Sequence, residues 1–222
     1  MNMLNHGQAG LDLIVATAKS GALASAPSRN DAGEVARIVG KAMEEALKGP
    51  SPEDLYEAMC RATEQVFATM LNMEVEPGVP IFEHDFPGHF DGVVSFVGLA
   101  GGWLGTGGLS CSASFARRIA GCFLMMDFAE VDDDVLDAVG ELTNIIIGNL
   151  KGTLEQSVGP MALSTPTSIV GNNLTAHSLG RHRWTVVSFR CGEDKLDVMV
   201  HLVPRAPSDR EAESRRRMLV DS

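Results

Sequence analysis

The stretch from Asp132 to Glu155, DDDVLDAVGELTNIIIGNLKGTLE, carries the longest uninterrupted helical pattern in the chain and constrains what can be built around it. Asp132, Asp133 and Asp134 precede the first apolar turn, where an N-cap and the positive end of the helix dipole favour negative charge. Val135, Leu136, Val139, Leu142, Ile146, Leu150 and Leu154 recur at three- and four-residue steps. They form one apolar stripe, so the helix must bury that side against other elements. Asp137, Glu141, Asn144 and Gly148 recur at similar steps on a second face, roughly opposite the first. Most polar helix faces are simply solvated. Two features set this one apart. Asn is a mediocre helix former, and a mid-helix Gly such as Gly148 costs about 1 kcal/mol relative to Ala. A missing side chain leaves room for another molecule's backbone to come close. A carboxylate and a carboxamide one turn apart on a rigid helix, with clear space beside them, suit insertion into another protein's active site.

The rest of the 222-residue chain sets bounds on function. A hydrophobic fraction of 45% is enough for a real core. No run approaches the roughly 20 apolar residues of a membrane span. The apolar run Leu11 to Ala18 has no preceding Lys or Arg and contains Asp12, so it does not read as a secretion signal. Cys60, Cys111, Cys122 and Cys191 are scattered, with no C-x-x-C pair, which suits small buried thiols in a reduced, cytoplasmic protein. The formal net charge of -11 argues against nucleic acid and anionic membrane as partners, since both need a cationic surface.

Read in order, residues 1–30 form a mobile arm rich in Ala, Gly, Ser and Asn. An extra helix and linker occupy 31–50, with Val35, Ile38, Val39, Met43, Ala46 and Leu47 at helical spacing and a stop at Gly49-Pro50. The main domain spans 51–204. It opens with Ser51-Pro52-Glu53-Asp54, a helix start whose buried face is Leu55, Met59, Ala62, Val66, Met70 and Leu71. A Pro-rich loop over 74–91 holds a short edge strand near Ile81-Phe82. Gly92–Leu99 and Trp103–Leu109 form a hairpin. A helix follows from Ser112 to about Asp127, with Phe115, Ile119, Cys122, Phe123 and Met126 on one side. After the long helix, short strands flank Pro166, Gly171-Asn172-Asn173 makes a turn, and Trp184–Cys191 and Leu196–Val203 form a second hairpin around Gly192–Lys195. From Arg205 to Ser222 the chain is a charged, solvated tail containing Arg215, Arg216 and Arg217. Helices and strands cluster rather than alternate, so the fold class is α+β: a sheet built from hairpins, with long amphipathic helices packed on it.

Other motifs lead to plainer readings. The glycines of Gly98–Gly108 flank a strand instead of opening a helix, and no Lys-Ser/Thr ending follows. They fit close packing in a hairpin rather than a phosphate loop. His84, Asp85, His89 and Asp91 lie close in sequence but lack a helical two-His spacing or a matching cluster elsewhere, so no metal site is expected. His177 and His182 read as a solvated loop, and His201 as a strand histidine. No G-x-S-x-G or activated Cys is present.

On the long helix, Asp137-x-x-x-Glu141-x-x-Asn144, followed some twenty residues later by Pro166, resembles the signature of the CheC/CheX/FliY family of chemotaxis phosphatases. The text DAVGELTNIIIGNLKGTL is similar to that family's motif helix over its whole length, and the element order is similar over roughly residues 52 to 204. A single motif copy resembles CheX, whereas CheC and FliY members typically carry two. The resemblance implies a CheC/CheX-like fold and a phosphatase for a phosphorylated CheY-type response regulator. It implies that Glu141 pairs with the regulator's active-site lysine and that Asn144 positions the attacking water, with Asp137, Gly148 and Pro166 in support. It further implies no cofactor of the protein's own, any Mg²⁺ belonging to the regulator, and a homodimer joined through the sheets. The alternative from another class is a non-catalytic scaffold module of the same fold that docks a two-component signalling partner.

Overall fold

The computed structural model describes residues 49–83, 89–175 and 183–205. The expected arm at 1–30, the helix at 31–48, His84, Asp85, His177, His182 and the tail from 206 lie outside the described residues.

Helix α1, Pro52–Val66, starts as its sequence dictates. The Ser51 hydroxyl accepts the Asp54 N–H at 3.0 Å and donates to the Asp54 carboxylate at 2.8 Å, with Pro52 at a position that needs no N–H partner. Its last turn widens into a π-helical turn, Phe67–Leu71, closed by Asn72 at a left-handed φ of 51°. That wider turn shifts the phase of the apolar face. Phe67 and Leu71 go inside, while Met70, expected to be buried, is 44% exposed.

Two short strands follow, β1 (Glu76–Pro77) and β2 (Ile81–Glu83), and then the long hairpin of β3 (His89–Gly101) and β4 (Trp103–Cys111). Helix α2 spans Ala113–Leu124, capped by Ser112, and helix α3 spans Asp133–Val158, capped by Asp132 through a 3.0 Å bond from the Val135 N–H. Strands β5 (Met161–Leu163) and β6 (Thr167–Thr175) flank Pro166, and β7 (Trp184–Cys191) and β8 (Asp194–Pro204) complete the sheet. The described order is β1-β7-β8-β4-β3-β5, with β2 also on β7 and β6 also on β3, every pairing antiparallel. The α+β class is thus the observed one.

Strand alternation divides the sheet into two faces. Val93, Val97, Leu99, Leu109, Val187, Phe189, Leu196, Val198 and Val200 join the buried residues of all three helices in one cluster. Phe90, Val94, Trp184, Val186 and Met199 form a smaller cluster from alternate positions. The Gly-rich hairpin explains how α3 lies so close to the sheet. A Cβ on Gly107 would fall 2.7–2.8 Å from three side-chain atoms of Ile147, and one on Gly105 only 2.2 Å from the His201 carbonyl. These glycines serve packing, as their position around a strand suggested.

Three local expectations change. Helix α2 ends at Leu124 because Met125 turns left-handed at φ 54°, so Met126 is 53% exposed. Cys122 is exposed too, unlike Cys60, Cys111 and Cys191, and Ala116 and Ala120 share the buried side with Phe115 and Ile119. Burial away from water pushes the Cys111 thiol up to about 12, which makes it an inert core group. Gly171-Asn172-Asn173 is not a turn but part of β6, which bulges there. Asn173, at φ 52°, donates its N–H to the Asp91 carboxylate on β3. The second hairpin is tighter than expected, with Cys191 opposite Asp194 and Gly192 at φ 63°, as a two-residue loop requires.

Candidate functional site

Helix α3 packs against α1, α2 and strands β3 to β6, and this fixes which of its faces is left for chemistry. Val135, Val139, Leu142, Ile146, Leu150 and Leu154 are buried as the stripe predicted, and Ala138, Gly140, Thr143 and Ile147 widen it; Leu136 is half-buried. Thr143, wholly buried, satisfies its hydroxyl on the Val139 carbonyl at 2.7 Å. The far end of the helix is tied down by Glu155. Its carboxylate accepts from Lys151 and from the Met161 N–H, both at 2.8 Å, and the Lys151 ammonium and that N–H hold it below the usual carboxylate range.

The opposite face stays open. Asp137 and Glu141 are exposed, and Asn144 and Gly148 are half-buried. None of the three polar side chains makes a hydrogen bond or ion pair within the described residues. Helical spacing puts successive members about 5–6 Å apart at Cβ. Glu141 and Asn144 therefore stand one turn apart on this face, and neither side chain spends its hydrogen-bonding capacity on another described residue. A Cβ on Gly148 would meet only Leu163 Cδ1, at an ordinary 3.6 Å, so the space expected beside that glycine is present on its other sides.

Pro166 joins the site from the loop between β5 and β6. Ser164 pins this loop to β3 through two bonds with Gly98, its N–H donating to the carbonyl at 3.0 Å and its hydroxyl accepting the Gly98 N–H at 2.8 Å. Further on, the Ser168 hydroxyl bonds to that of Ser95, a wholly buried residue of β3, at 3.1 Å. Between these pins an open cleft of about 560 Å³ runs beside α3, lined by Asp133, Leu136, Asp137, Gly140, Glu141, Pro166 and Ser168. The structure thus gathers Asp137, Glu141 and Pro166 around one cleft, with Asn144 and Gly148 one and two turns farther along the same helix face. Gly140 and Ser168 also line this cleft, which the sequence reading did not anticipate. The signal available for Gly140 was a second mid-helix glycine, next to Glu141 and as unfavourable to the helix as Gly148.

Among the described residues, no group of His, Cys, Asp and Glu is arranged to hold a metal ion, and no helix is long and apolar enough to cross a membrane. His84 and Asp85 lie outside the described residues. Asp91 is engaged with Asn173, and His201 stacks edge-on to Trp184 at 4.7 Å between ring centres.

Residues 93–190 match the family model described as chemotaxis phosphatase CheX. No curated protein matches the chain. Among solved structures, a CheC-like superfamily protein from Shewanella sp. PV-4 is 25% identical at a TM-score of 0.60, over 67% of this chain and 97% of that one. A chemotaxis protein CheX from Desulfovibrio desulfuricans, 24% identical, shares the fold at a TM-score of 0.60 over 67% and 98% of the two chains. The CheX–CheY–BeF3–Mg²⁺ complex from Borrelia burgdorferi matches at 25% identity and a TM-score of 0.57, over 66% of this chain and 96% of that chain. By sequence model and by fold together, the chain carries a CheX/CheC-like domain.

Proposed function

We propose that the protein is a phosphatase that accelerates hydrolysis of the aspartyl phosphate on a CheY-type response regulator. The observation that carries this reading is the Glu141–Asn144 pair, without a hydrogen-bond or ion-pair partner among the described residues, on the open face of a long helix in a CheX/CheC-like domain. A complex of CheX with CheY, known for the Borrelia burgdorferi protein, supports a regulator of that kind as the partner. An acyl phosphate is already activated, so the helper has mainly to orient water and hold the partner. Glu141 pairs with the regulator's active-site lysine. Asn144 hydrogen-bonds a water in line with phosphorus, and being neutral it adds no negative charge beside the phosphoryl oxygens. The water oxygen bonds to phosphorus, the P–O bond to the aspartate breaks, and inorganic phosphate and a free aspartate carboxylate are released. Asp137, Gly148 and Pro166 shape the surface that admits the regulator. Mg²⁺ is carried by the regulator, and the reaction belongs in the cytoplasm with it.

The test is phosphate loss from a phosphorylated CheY-type regulator with wild type, Glu141→Ala and Asn144→Ala. Acceleration by the wild type and its loss in either variant is the expected result. A wild type that does not accelerate the loss ends the enzyme reading. Binding that persists in the variants, with no turnover in any form, would instead favour the scaffold.

We further propose a homodimer formed along β6. This strand lies at a sheet edge, paired on one side to β3, and exposes Ile169 and Val170 at 45% and 42%. Sedimentation should show a dimer for the wild type at micromolar concentration and a monomer for Ile169→Lys. A wild type that sediments as a monomer at that concentration removes the dimer.

A further inference from the structure

Gly140 stands directly before Glu141 and is buried on the side of α3 that faces the β5–β6 loop. A Cβ there would lie 3.1 Å from Ser168 Oγ and 3.4 and 3.5 Å from the Pro166 ring. The absence of a side chain is therefore what lets Pro166 and Ser168 close on the helix. The two sides are held differently, the helix by the core and the loop by hydrogen bonds at a sheet edge. Helix α3 is fixed by Val139 and Leu142, both at 0% exposure. The loop is fixed to β3 by Ser164 on Gly98 and by Ser168 on the buried Ser95. By contrast, Gly152 on the same helix has nothing within 4 Å of the position a Cβ would take.

From this geometry we infer that Gly140 is a positioning residue for Glu141: it sets the width of the Pro166–Ser168 cleft and so the line along which the regulator's side chain reaches the Glu141 carboxylate. The inference rests on the reading of Glu141 as a partner contact. A methyl group at residue 140 displaces the loop by a few tenths of an ångström, because the loop belongs to an edge strand and the helix belongs to the core. The methyl group fills the floor of the cleft and its Pro166–Ser168 wall moves outward, so the opening beside Glu141 changes shape while the fold stays intact.

Glycine-to-alanine changes at 140 and 152 give the helix the same local preference, so the pair separates cleft geometry from helix stability. The experiment uses the full chain with a phosphorylated CheY-type regulator. It compares wild type, Gly140→Ala, Gly152→Ala, Glu141→Ala and the Gly140→Ala/Glu141→Ala double variant, and records thermal midpoints alongside. Gly140→Ala should lower kcat/KM for phosphate release about tenfold, as expected for a small misplacement at a reacting site, without lowering the midpoint. Gly152→Ala should match the wild type in rate. In the Glu141→Ala background the Gly140→Ala change should cost nothing further, since both act through one carboxylate. Equal activity of Gly140→Ala and wild type, or an equal loss in both backgrounds, overturns the inference and leaves the proposed function standing. A loss accompanied by a lowered midpoint overturns it as well, as a folding defect. A wild type that does not act on the regulator fails at the earlier step, and both the function and this inference fall together.

Discussion

Replacing Asn144 with Ala should slow regulator dephosphorylation about 100-fold while leaving the protein as stable as before, or slightly more so. The size follows from what the carboxamide is asked to do. A water left to find its own line to phosphorus loses the orientation that a fixed hydrogen bond supplies, and misplacement of about 1 Å at such a centre costs about 100-fold. That corresponds to about 2.7 kcal/mol of barrier. The stability prediction has the opposite sign. Asn144 is half-buried, and its side chain has no hydrogen-bond partner among the described residues, so truncation strands no buried group. Ala is the better helix former by up to about 0.7 kcal/mol. A rate assay beside a thermal or denaturant melt checks both halves. A parallel fall in stability would mean that Asn144 holds the fold together, and an unchanged rate would mean that it does no chemistry.

The signals that could be read ahead of the structure were local ones. Ser51 caps α1 as the Ser51-Pro52-Glu53-Asp54 start suggested, and the three acids before the long helix marked an N-cap that Asp132 supplies, because a cap needs only a side-chain oxygen within three residues of a free N–H. Both main hairpins were likewise legible from alternation around Gly-containing turns. The errors arose where a distant residue decided the outcome. Gly171-Asn172-Asn173 has turn composition, yet Asp91 on β3 supplies the acceptor that turns it into a strand bulge. Met70 keeps an α-helical phase in the sequence, whereas the π-helical turn from Phe67 rotates it outward. Strand order is non-local by nature, and nothing near Asp194–Pro204 announces that β8 runs between β7 and β4.

For the site, periodicity placed Asp137, Glu141, Asn144 and Gly148 on one face, and the structure leaves that face open. What periodicity could not supply was the second wall. Pro166 is brought to α3 by Ser164 on Gly98 and by Ser168 on Ser95, contacts across a long stretch of chain that no helical wheel contains. Gly140 escaped notice for the same reason. Its role appears only once Pro166 and Ser168 are seen within reach of its missing Cβ. The chemistry assigned to Glu141 and Asn144 came from the family resemblance; residue types on a polar face would not have distinguished it from a solvated surface.

The neighbouring residue provides the complementary prediction. Leu142 follows Glu141 in sequence but points about 100° around the helix, into the core, where it is 0% exposed. Leu142→Ala should destabilise the protein by about 2–5 kcal/mol, the range for a buried leucine whose surroundings only partly collapse into the space left behind. The lower part of that range would require the site to relax. Relaxation is limited here, because α3 is held at once by α1, α2 and the sheet, and Ile147 is already wedged over Gly107. For a domain of this size the melting midpoint should fall by roughly 4–20 °C. Activity per folded molecule, measured well below that midpoint, should stay within about twofold of wild type, because the core side chain does not touch the regulator. Adjacent substitutions on one helix would then separate cleanly: Glu141→Ala lowers the rate at constant stability, and Leu142→Ala lowers stability at constant rate. If Leu142→Ala also lost its rate below the transition, the open face would depend on core packing for its alignment, and α3 could no longer be treated as a rigid carrier of the Glu141–Asn144 pair.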